Sequence, residues 1–308
     1  MHRFTRLLGA MATTSLLGLA ACAGAPPASP GSRSASAGTQ PVTLNFAAQV
    51  AGQPFACGRS YAGIGTTGST LTPSDFRLYV SEVHLIDGAG RAVPVRLAQD
   101  GVWQFEDIAL LDFEDGSGPC RNGTGATNLQ VRGSVPEGRY TGLRFTLGVP
   151  FARNHGDPTI APSPLNLTAM FWNWQGGYKF MKFDAASSGR PQAQAAHAPH
   201  GGGGASGFSV HLGSTVCASA SRTQPASACQ NPNRVTVQFD RFDAATQTLV
   251  ADIGEVLAAA DVDVNAPKTS PGCMSFPGDA DCPPVMSALG LPYGDRTAPG
   301  PQRLFTVR

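Results

Sequence analysis

Residues 76–90, FRLYVSEVHLIDGAG, decide the fold class of this 308-residue chain. The runs 76–80 and 83–86 are rich in β-branched and aromatic residues, and the turn residues Gly88, Ala89 and Gly90 follow them. Runs of this kind, bounded by Gly, Pro or Asp, are typical of β-strands. The sequence therefore predicts two short strands that end in a turn.

Similar runs recur along the chain and predict further strands. Their positions are 42–46, 92–97, 103–105, 129–131, 140–147, 178–183, 208–212, 234–242 and 248–253. The 37 Gly and 25 Pro place turns between the runs and argue against long helices, and a short helix is suggested at 256–260. The number and spacing of the runs favour an antiparallel sandwich or barrel. We predict an all-β fold, an antiparallel β-sandwich with long irregular loops and disulfides.

The charge balance excludes one class of function. Lys and Arg together number 22 against 21 Asp and Glu, and charged residues make up 14% of the chain. Without a basic excess the protein has no bulk electrostatic grip on phosphate. We therefore expect no nucleic acid among its partners.

The N-terminal residues are typical of an exported and tethered protein. A basic start precedes a short apolar run that ends in LAAC at 19–22, which resembles the bacterial lipobox, in which the cysteine is lipidated. An ordinary secretory signal with a chance cysteine is the alternative. The absence of Asp after Cys22 favours the outer membrane, by resemblance to sorted lipoproteins. We expect a periplasmic protein that meets the membrane only through a lipid on Cys22.

These features divide the chain into three parts. Residues 1–22 are predicted to be a lipoprotein signal peptide, and residues 23–40, rich in Pro, Ser, Gly and Ala, a flexible linker. Residues 41–308 are predicted to form a single domain. Within it, residues 185–207 are low-complexity and predict a surface insertion. His197 and His200 in this insertion could bind a metal weakly, but fixing ligands beside four glycines has a high entropic cost.

Six cysteines follow Cys22, an even number in an oxidising compartment, which suggests three disulfides. The short separations favour Cys217 with Cys229 and Cys273 with Cys282, which leaves Cys57 for Cys120. A zinc site is the alternative. It is disfavoured because no two cysteines have the close CxxC spacing of zinc sites.

The most unusual segment is 170–181, MFWNWQGGYKFM. It holds two of the three tryptophans, Trp172 and Trp174, whose side chains would share one face of an extended segment. Aromatic clusters commonly belong to a core. The polar residues among these aromatics suggest a partly wet site instead.

Two histidines stand where turns are predicted: His155 in NHGDP and His211 in VHLGST. With Met170 and Met181 they would supply imidazole and thioether donors, and soft thioethers favour Cu(I). Spacing alone does not show that the four side chains converge. His84, between Val83 and Leu85, is most simply a strand residue.

Signatures of enzymatic chemistry are absent from the sequence. It contains no GxSxG elbow or P-loop. Asp107, Asp112, Glu114 and Asp115 do not fit an EF-hand loop, and their segment predicts a solvated turn. We therefore predict that the protein is not an enzyme, a secreted hydrolase being the alternative.

Six segments, in this order along the chain, resemble the MbnP family, the periplasmic four-Cys motif proteins of metallo-mystery pair systems. They are FRLYVSEVHLID, LLDFEDGSGPC, LRFTLGVPFARNH, SPLNLTAMFWNWQGGYKFMKFD, FSVHLGSTVC and CMSFPGDADC. The resemblance spans roughly residues 42–295, nearly all of the predicted mature chain.

The resemblance implies a copper-binding protein of copper acquisition or homeostasis. Its implied partner is a MauG-like di-haem c-type cytochrome of the peroxidase family, which oxidises a tryptophan to kynurenine and so helps to form the copper site. Carried over by motif, Trp172 or Trp174 is the candidate for kynurenine, and His155 and His211 are the imidazole ligands. His84 stands where the family would have an arginine. The alternative is a lipoprotein that binds carbohydrate or protein on an aromatic platform of Trp172, Trp174 and Tyr178.

Overall fold

A computed structural model describes residues 38–173, 175–189, 207–221, 224–296 and 300–308. Cys22, Trp174, His197 and His200, which the sequence singles out, lie outside these ranges. Ala37–Arg308 form one unit by their internal contacts.

The described residues form mainly β-strands, connected by turns and short helices. In chain order the strands are β1 (Thr39–Val50), β2 (Gln53–Pro54), β3 (Tyr61–Ile64), β4 (Ser69–Asp87), β5 (Ala92–Pro94), β6 (Arg96–Leu97), β7 (Gln104–Phe105), β8 (Ile108–Asp112), β9 (Gln130–Pro136), β10 (Tyr140–Leu147), β11 (Phe171–Asn173), β12 (Gly177–Tyr178), β13 (Met181–Ser187), β14 (Gly207–Leu212), β15 (Thr215–Ala218), β16 (Ala228–Asn231), β17 (Val235–Phe239), β18 (Thr248–Asp252) and β19 (Phe305–Val307). The α-helices are α1 (Phe151–Asn154), α2 (Ile253–Leu257) and α3 (Cys282–Ala288), and 3-10 turns span Gly118–Cys120 and Thr168–Met170.

Two main sheets pack face to face. One has the strand order β19-β18-β1-β9-β6 with β2 beside β1, and the other has the order β14-β13-β4-β10-β17 with β3, β5, β7 and β8 attached. The ring of Phe46 in β1 lies 5.9 Å from that of Phe145 in β10, and Phe305 of β19 lies 5.1 Å from Phe145. Apart from the parallel pair β1 and β18, the strands of these sheets pair antiparallel. The predicted antiparallel β-sandwich is confirmed.

Strand β4 runs through the middle of the larger sheet and is one strand of 19 residues, where the sequence predicts two. The predicted break coincides with a bulge. His84 pairs with Arg144 and Ser81 pairs with Thr146, so the register shifts between them, and Glu82 has a φ of 54°. A bulge redirects side chains without ending the strand. The apolar pattern therefore changes phase while the hydrogen bonding continues.

The prediction of a solvated turn around residues 107–115 holds for the exposed Asp107 and Asp115 but is wrong for residues 108–114, which are buried. Every residue of β8 is buried, and β8 pairs with β4. Asp112 and Glu114 are both 0% exposed. Arg77, also 0% exposed, partly offsets their charge, because its Nη1 lies 3.7 Å from Glu114 Oε1. A run of acidic residues indicates solvent exposure only when no buried cation lies near it in space. Here the cation is Arg77, which is distant from the run in sequence.

Two predicted boundaries shift in the structure. β1 begins at Thr39, within the range 23–40 predicted as linker, because its first residues pair with β9. α2 begins at Ile253 rather than at 256, because the Asp252 side chain accepts a hydrogen bond from Gly254 N at 2.9 Å and caps the helix. In the part of the chain that the structure describes, no helix has the length and apolarity to cross a bilayer.

Three disulfides cross-link the fold, in the pairing that the short separations favour. Cys57 joins Cys120, Cys217 joins Cys229 across the β15–β16 ribbon, and Cys273 joins Cys282 at the start of α3. The third disulfide also lies against the larger sheet, since the backbone of Cys273 forms an isolated β-bridge with Val210 of β14.

The low-complexity insertion connects the two strands of one hairpin. Residues 185–187 continue β13 and Gly207 begins β14, so only the middle of the predicted range 185–207 lies beyond the strands. Ala186 pairs with Gly207 at one end of the hairpin, and Lys182 pairs with His211 toward the other.

Candidate functional site

The segments that carry the predicted site residues meet at the turn after β14. Trp172 of β11 packs so closely on Gly213 that a methyl group there would lie 2.5 Å from the indole Cζ3. From the other side, Asn154 Nδ2 donates a hydrogen bond to Ser214 Oγ at 3.2 Å. Glycine at 213 is thus required by close approach. The turn brings the segments of His155, Trp172 and His211 together.

Asn154 fixes the position of His155. Its Oδ1 accepts a hydrogen bond from Tyr178 N at 2.9 Å, which ties the end of α1 to β12. Gly177, with a φ of 69°, allows this approach, since a methyl group there would lie 2.3 Å from Asn154 O. His155 follows directly and is 4% exposed. The hydrogen bonds of Asn154 with Tyr178 and Ser214 therefore fix the backbone at His155.

The His155 ring lies against a disulfide. Its Nε2 is 3.4 Å from Cys229 Sγ and 3.2 Å from Asn154 Nδ2. The ring also contacts Phe151, with centroids 5.1 Å apart. His155 Nε2 and the sulfurs of Cys217 and Cys229 all lie within 4.8 Å of one another. This cluster could not be predicted from the sequence, because its three residues come from two segments that are far apart along the chain.

His211 lies at the end of a buried network of charges. Its Nε2 is 2.8 Å from Asp184 Oδ1, and Asp184 Oδ2 accepts from Lys182 Nζ at 2.9 Å. Lys182 also pairs with Asp75, whose Oδ1 accepts from Arg77 Nε at 2.8 Å. The backbone of His211 is fixed on both sides, by Cys273 O and by Ser275 Oγ, each at 2.9 Å.

This network shifts the ionisation of its members. Burial would raise the pKa of Asp184, but the charge and hydrogen bond of His211, together with Lys182, hold it well below the usual range. Neighbouring Lys179 is partly buried and close to the charge of Lys182, and its pKa falls to about 8. Asp184 is thus a carboxylate that faces the His211 imidazole and fixes its orientation. Asp184 was not predicted from the sequence. It alternates with Lys182 along β13, but only the pairing of β13 with β14 places it beside His211.

The two methionines do not join this site. Met170 and Met181 are both 0% exposed and belong to the hydrophobic core. A thioether packed among core side chains fills space rather than facing an entering ion. The expectation that Met170 and Met181 supply thioether donors is therefore not supported, and the donors brought to the turn are imidazoles.

The aromatic residues divide between surface and core. Trp172 is partly buried and stacks on Phe276, with centroids 5.5 Å apart, and Phe276 is 48% exposed. Tyr178 is fully buried, its hydroxyl donates to Leu165 O at 2.5 Å, and burial raises its pKa to about 12. The prediction that Tyr178 belongs to an aromatic binding platform is therefore wrong.

His84 stands apart from the turn after β14. It lies on β4 opposite Pro94 and Arg144, and its Nδ1 donates to Glu82 O at 2.6 Å. This hydrogen bond spans the bulge in β4. His84 thus has a local structural contact, as expected of a strand residue.

Comparisons with known proteins agree on one family. The family model described as MbnP matches residues 39–275. The solved structure of MbnP from Methylosinus trichosporium is similar, with a TM-score of 0.74 and 33% sequence identity, and the similarity covers 88% of this chain and 98% of that chain. No curated protein matches the chain.

Proposed function

The chain belongs to the MbnP family, and from that premise we propose that it is a periplasmic copper-binding protein, oxidised at a tryptophan by a partner haem enzyme. It acts as substrate and partner of that enzyme rather than as an enzyme itself. Its role is copper acquisition or homeostasis.

The observation that carries the proposal is the turn at Gly213 and Ser214. Trp172 packs on Gly213, Asn154 beside His155 bonds to Ser214, and His211 stands two positions before Gly213. The backbone segments that carry the two histidines and the oxidisable tryptophan thus meet at this turn, which supports the proposal.

The donor set fits copper. Neutral imidazoles suit copper and hold it without a titrating nucleophile. The cysteine sulfurs are tied up in three disulfides, which leaves the imidazoles as the available soft or borderline donors. His155 and His211 would hold the ion together with the modified tryptophan. Because these donors are neutral, the protein could both retain the copper ion and release it.

The oxidation is assigned to Trp172 or Trp174. Opening an indole to kynurenine yields an aromatic amine and a carbonyl, and either could coordinate the ion or orient a ligand. The MauG-like di-haem c-type partner would catalyse this oxidation, with dioxygen or peroxide as the oxidant and oxygen source, and hydrolysis would release the formyl carbon as formate. Trp172 is partly buried beside Phe276, and Trp174 lies outside the described residues.

The location of the protein follows from its first residues. We propose that a lipid on Cys22 anchors the chain to the outer membrane and that residues 23–40 connect the anchor to the sandwich. Inhibiting lipoprotein signal peptidase should accumulate a larger, lipidated precursor in the membrane, and Cys22→Ser should abolish incorporation of a labelled fatty acid. Labelled lipid on Cys22→Ser, or no precursor under the inhibitor, would contradict the anchor.

The test of the copper site uses two matched variants, Trp172→Phe and Trp174→Phe. Each is produced with and without the haem partner, and copper per chain and the mass of the tryptophan peptide are measured. We expect one tightly bound copper only after co-production, together with a kynurenine mass at one of the two positions, and loss of both in the variant of that position. Full-affinity binding by protein with unmodified tryptophans would refute the oxidation.

The same preparations test the aromatic-platform alternative, which the exposed stack of Trp172 on Phe276 favours. A sugar or peptide ligand that binds equally with copper added or chelated would support a platform, since stacking does not depend on metal. Binding that follows copper content would support the metal site.

A further inference from the structure

We propose that the Cys217–Cys229 disulfide and His155 form a second, redox-gated metal site. When the disulfide is reduced, the two thiolates and the His155 imidazole would bind one monovalent copper ion. The inference requires neither an oxidised tryptophan nor His211. It shares His155 with the copper site proposed above, so the two sites would compete for that imidazole, and the test uses protein in which the tryptophan is not oxidised.

The ligand atoms are already gathered. Cys229 Sγ lies 3.4 Å from His155 Nε2, and these atoms and Cys217 Sγ all lie within 4.8 Å of one another. Metal–sulfur bonds of about 2.3 Å and metal–nitrogen bonds of about 2.0 Å place ligand atoms about 3.5–4 Å apart around one ion. Separation of the two sulfurs by side-chain rotation would therefore complete the site without moving the backbone.

Access favours this disulfide over the other two. Cys217 and Cys229 are both partly exposed, on a two-stranded ribbon. Cys57 of the first disulfide is also partly exposed, but its partner Cys120 is 0% exposed, and Cys273 and Cys282 of the third are 1% and 0% exposed, so only the Cys217–Cys229 disulfide offers two accessible sulfurs. Thiol–disulfide exchange requires that the attacking thiolate reach a sulfur. A reductant should therefore open the Cys217–Cys229 bond first.

The cluster has supports other than the disulfide. Across the ribbon, Asn231 Nδ2 donates to Thr215 Oγ1 at 3.2 Å, and Ser227 N donates to Ala218 O at 2.8 Å. His155 is held through Asn154, which bonds to Ser214 and to Tyr178. The three ligands would therefore stay close after the sulfur–sulfur bond is broken.

The chemistry balances with a dithiol as reductant. The dithiol transfers two electrons and two protons to the bridge, forms its own disulfide, and leaves two protein thiols. Binding of Cu⁺ then releases one proton from each thiol, while neutral imidazole contributes a nitrogen lone pair. Thiolates are soft donors that select Cu(I). A disulfide oxidant would reverse the first step: it would take two electrons from the two thiolates, become a dithiol and so expel the ion.

The experiment uses the full chain made without the haem partner. Limited reduction is followed by alkylation and peptide mapping. After removal of the reductant, Cu(I) is titrated against a chromophoric chelator while the ultraviolet thiolate-to-copper band is recorded. We expect Cys217 and Cys229 to be labelled first, and reduced protein to bind one more Cu(I) than oxidised protein, with that band.

Three variants separate the ligands. The double variant Cys217→Ser/Cys229→Ser should lose the additional ion, His155→Gln should weaken it at least tenfold, and His211→Gln should leave it unchanged. If the double variant does not fold, wild-type protein whose two reduced thiols are blocked by alkylation replaces it. Labelling that begins at another disulfide, or additional copper that survives the blocked thiols, would overturn the proposal. Copper binding by the oxidised protein tests the first site separately.

Discussion

Substitution of Gly213 by alanine tests whether the contact between Trp172 and the turn after β14 builds the site. The added methyl group would come within 2.5 Å of the indole Cζ3 and 2.9 Å of Tyr178 O. Overpacking of this kind costs about 1–3 kcal/mol. Replacing glycine returns about 0.4–1 kcal/mol through the unfolded state. We expect the free energy of unfolding to fall by about 1–2 kcal/mol and the melting temperature by about 2–6 °C.

The matched control is Gly156→Ala, one residue after His155. A methyl group there would lie 3.7 Å from Arg153 O, an ordinary contact, so only the unfolded-state effect remains and the free energy of unfolding should rise by about 0.4–1 kcal/mol. Denaturant unfolding, near-ultraviolet circular dichroism and copper titration are measured for both variants. Gly213→Ala should also weaken copper binding, because it pushes the indole away from the histidine segments.

A double-mutant cycle identifies the obstructing atoms. In a Trp172→Phe background, the loss caused by Gly213→Ala should shrink, since the indole atoms nearest the new methyl group are gone. Equal stability of Gly213→Ala and Gly156→Ala would refute the reasoning. An undiminished loss in the Trp172→Phe background would show that the indole is not the obstacle.

Two further predictions concern buried carboxylates. Burial, and then the charge of Glu114, raises the pKa of Asp112 to about 7, above the value of about 3.9 in an unfolded chain, so folding favours the protonated form and stability should rise as pH falls from about 7 toward 4. Asp112→Asn should flatten this rise in urea unfolding at several pH values, whereas exposed Asp115→Asn should keep it, and an unchanged slope in Asp112→Asn would contradict the assignment. Asp184→Asn should weaken copper binding about tenfold or more and shift the NMR signals of the His211 ring in copper-free protein, because Asp184 orients that ring. Unchanged affinity together with unchanged ring signals would remove Asp184 from the site.

Local patterns predicted the strands well where packing followed the alternation. Tyr140–Leu147 has the same bounds in sequence and structure, because β10 lies between β4 and β17 and keeps one face in the core. β8 was missed because its acidic neighbours suggest water. Their burial depends on Arg77, which approaches only when β4 and β8 pair.

The site could be predicted only in part. Resemblance implied His155, His211 and either Trp172 or Trp174, and the structure adds the turn at Gly213, where the segments of His155, His211 and Trp172 meet. Asp184 beside His211 could not be predicted because it depends on the pairing of β13 with β14, and the sulfurs beside His155 could not be predicted because they depend on packing between residues far apart in sequence. Met170 and Met181 were predicted as donors because thioethers suit copper, but their side chains are packed in the hydrophobic core.

The hairpin of β13 and β14 offers a convenient place to attach a reporter. The low-complexity segment enters beyond the pair Ala186 and Gly207, four residue steps from the pair Lys182 and His211, or roughly 13 Å along the strand. β13 is held along its length by β4 as well as by β14. A fluorophore attached at exposed Ser188, directly after β13, would therefore lie at the opposite end of the hairpin from His211. Copper arrival and partner docking could then be followed in real time with the site itself unaltered.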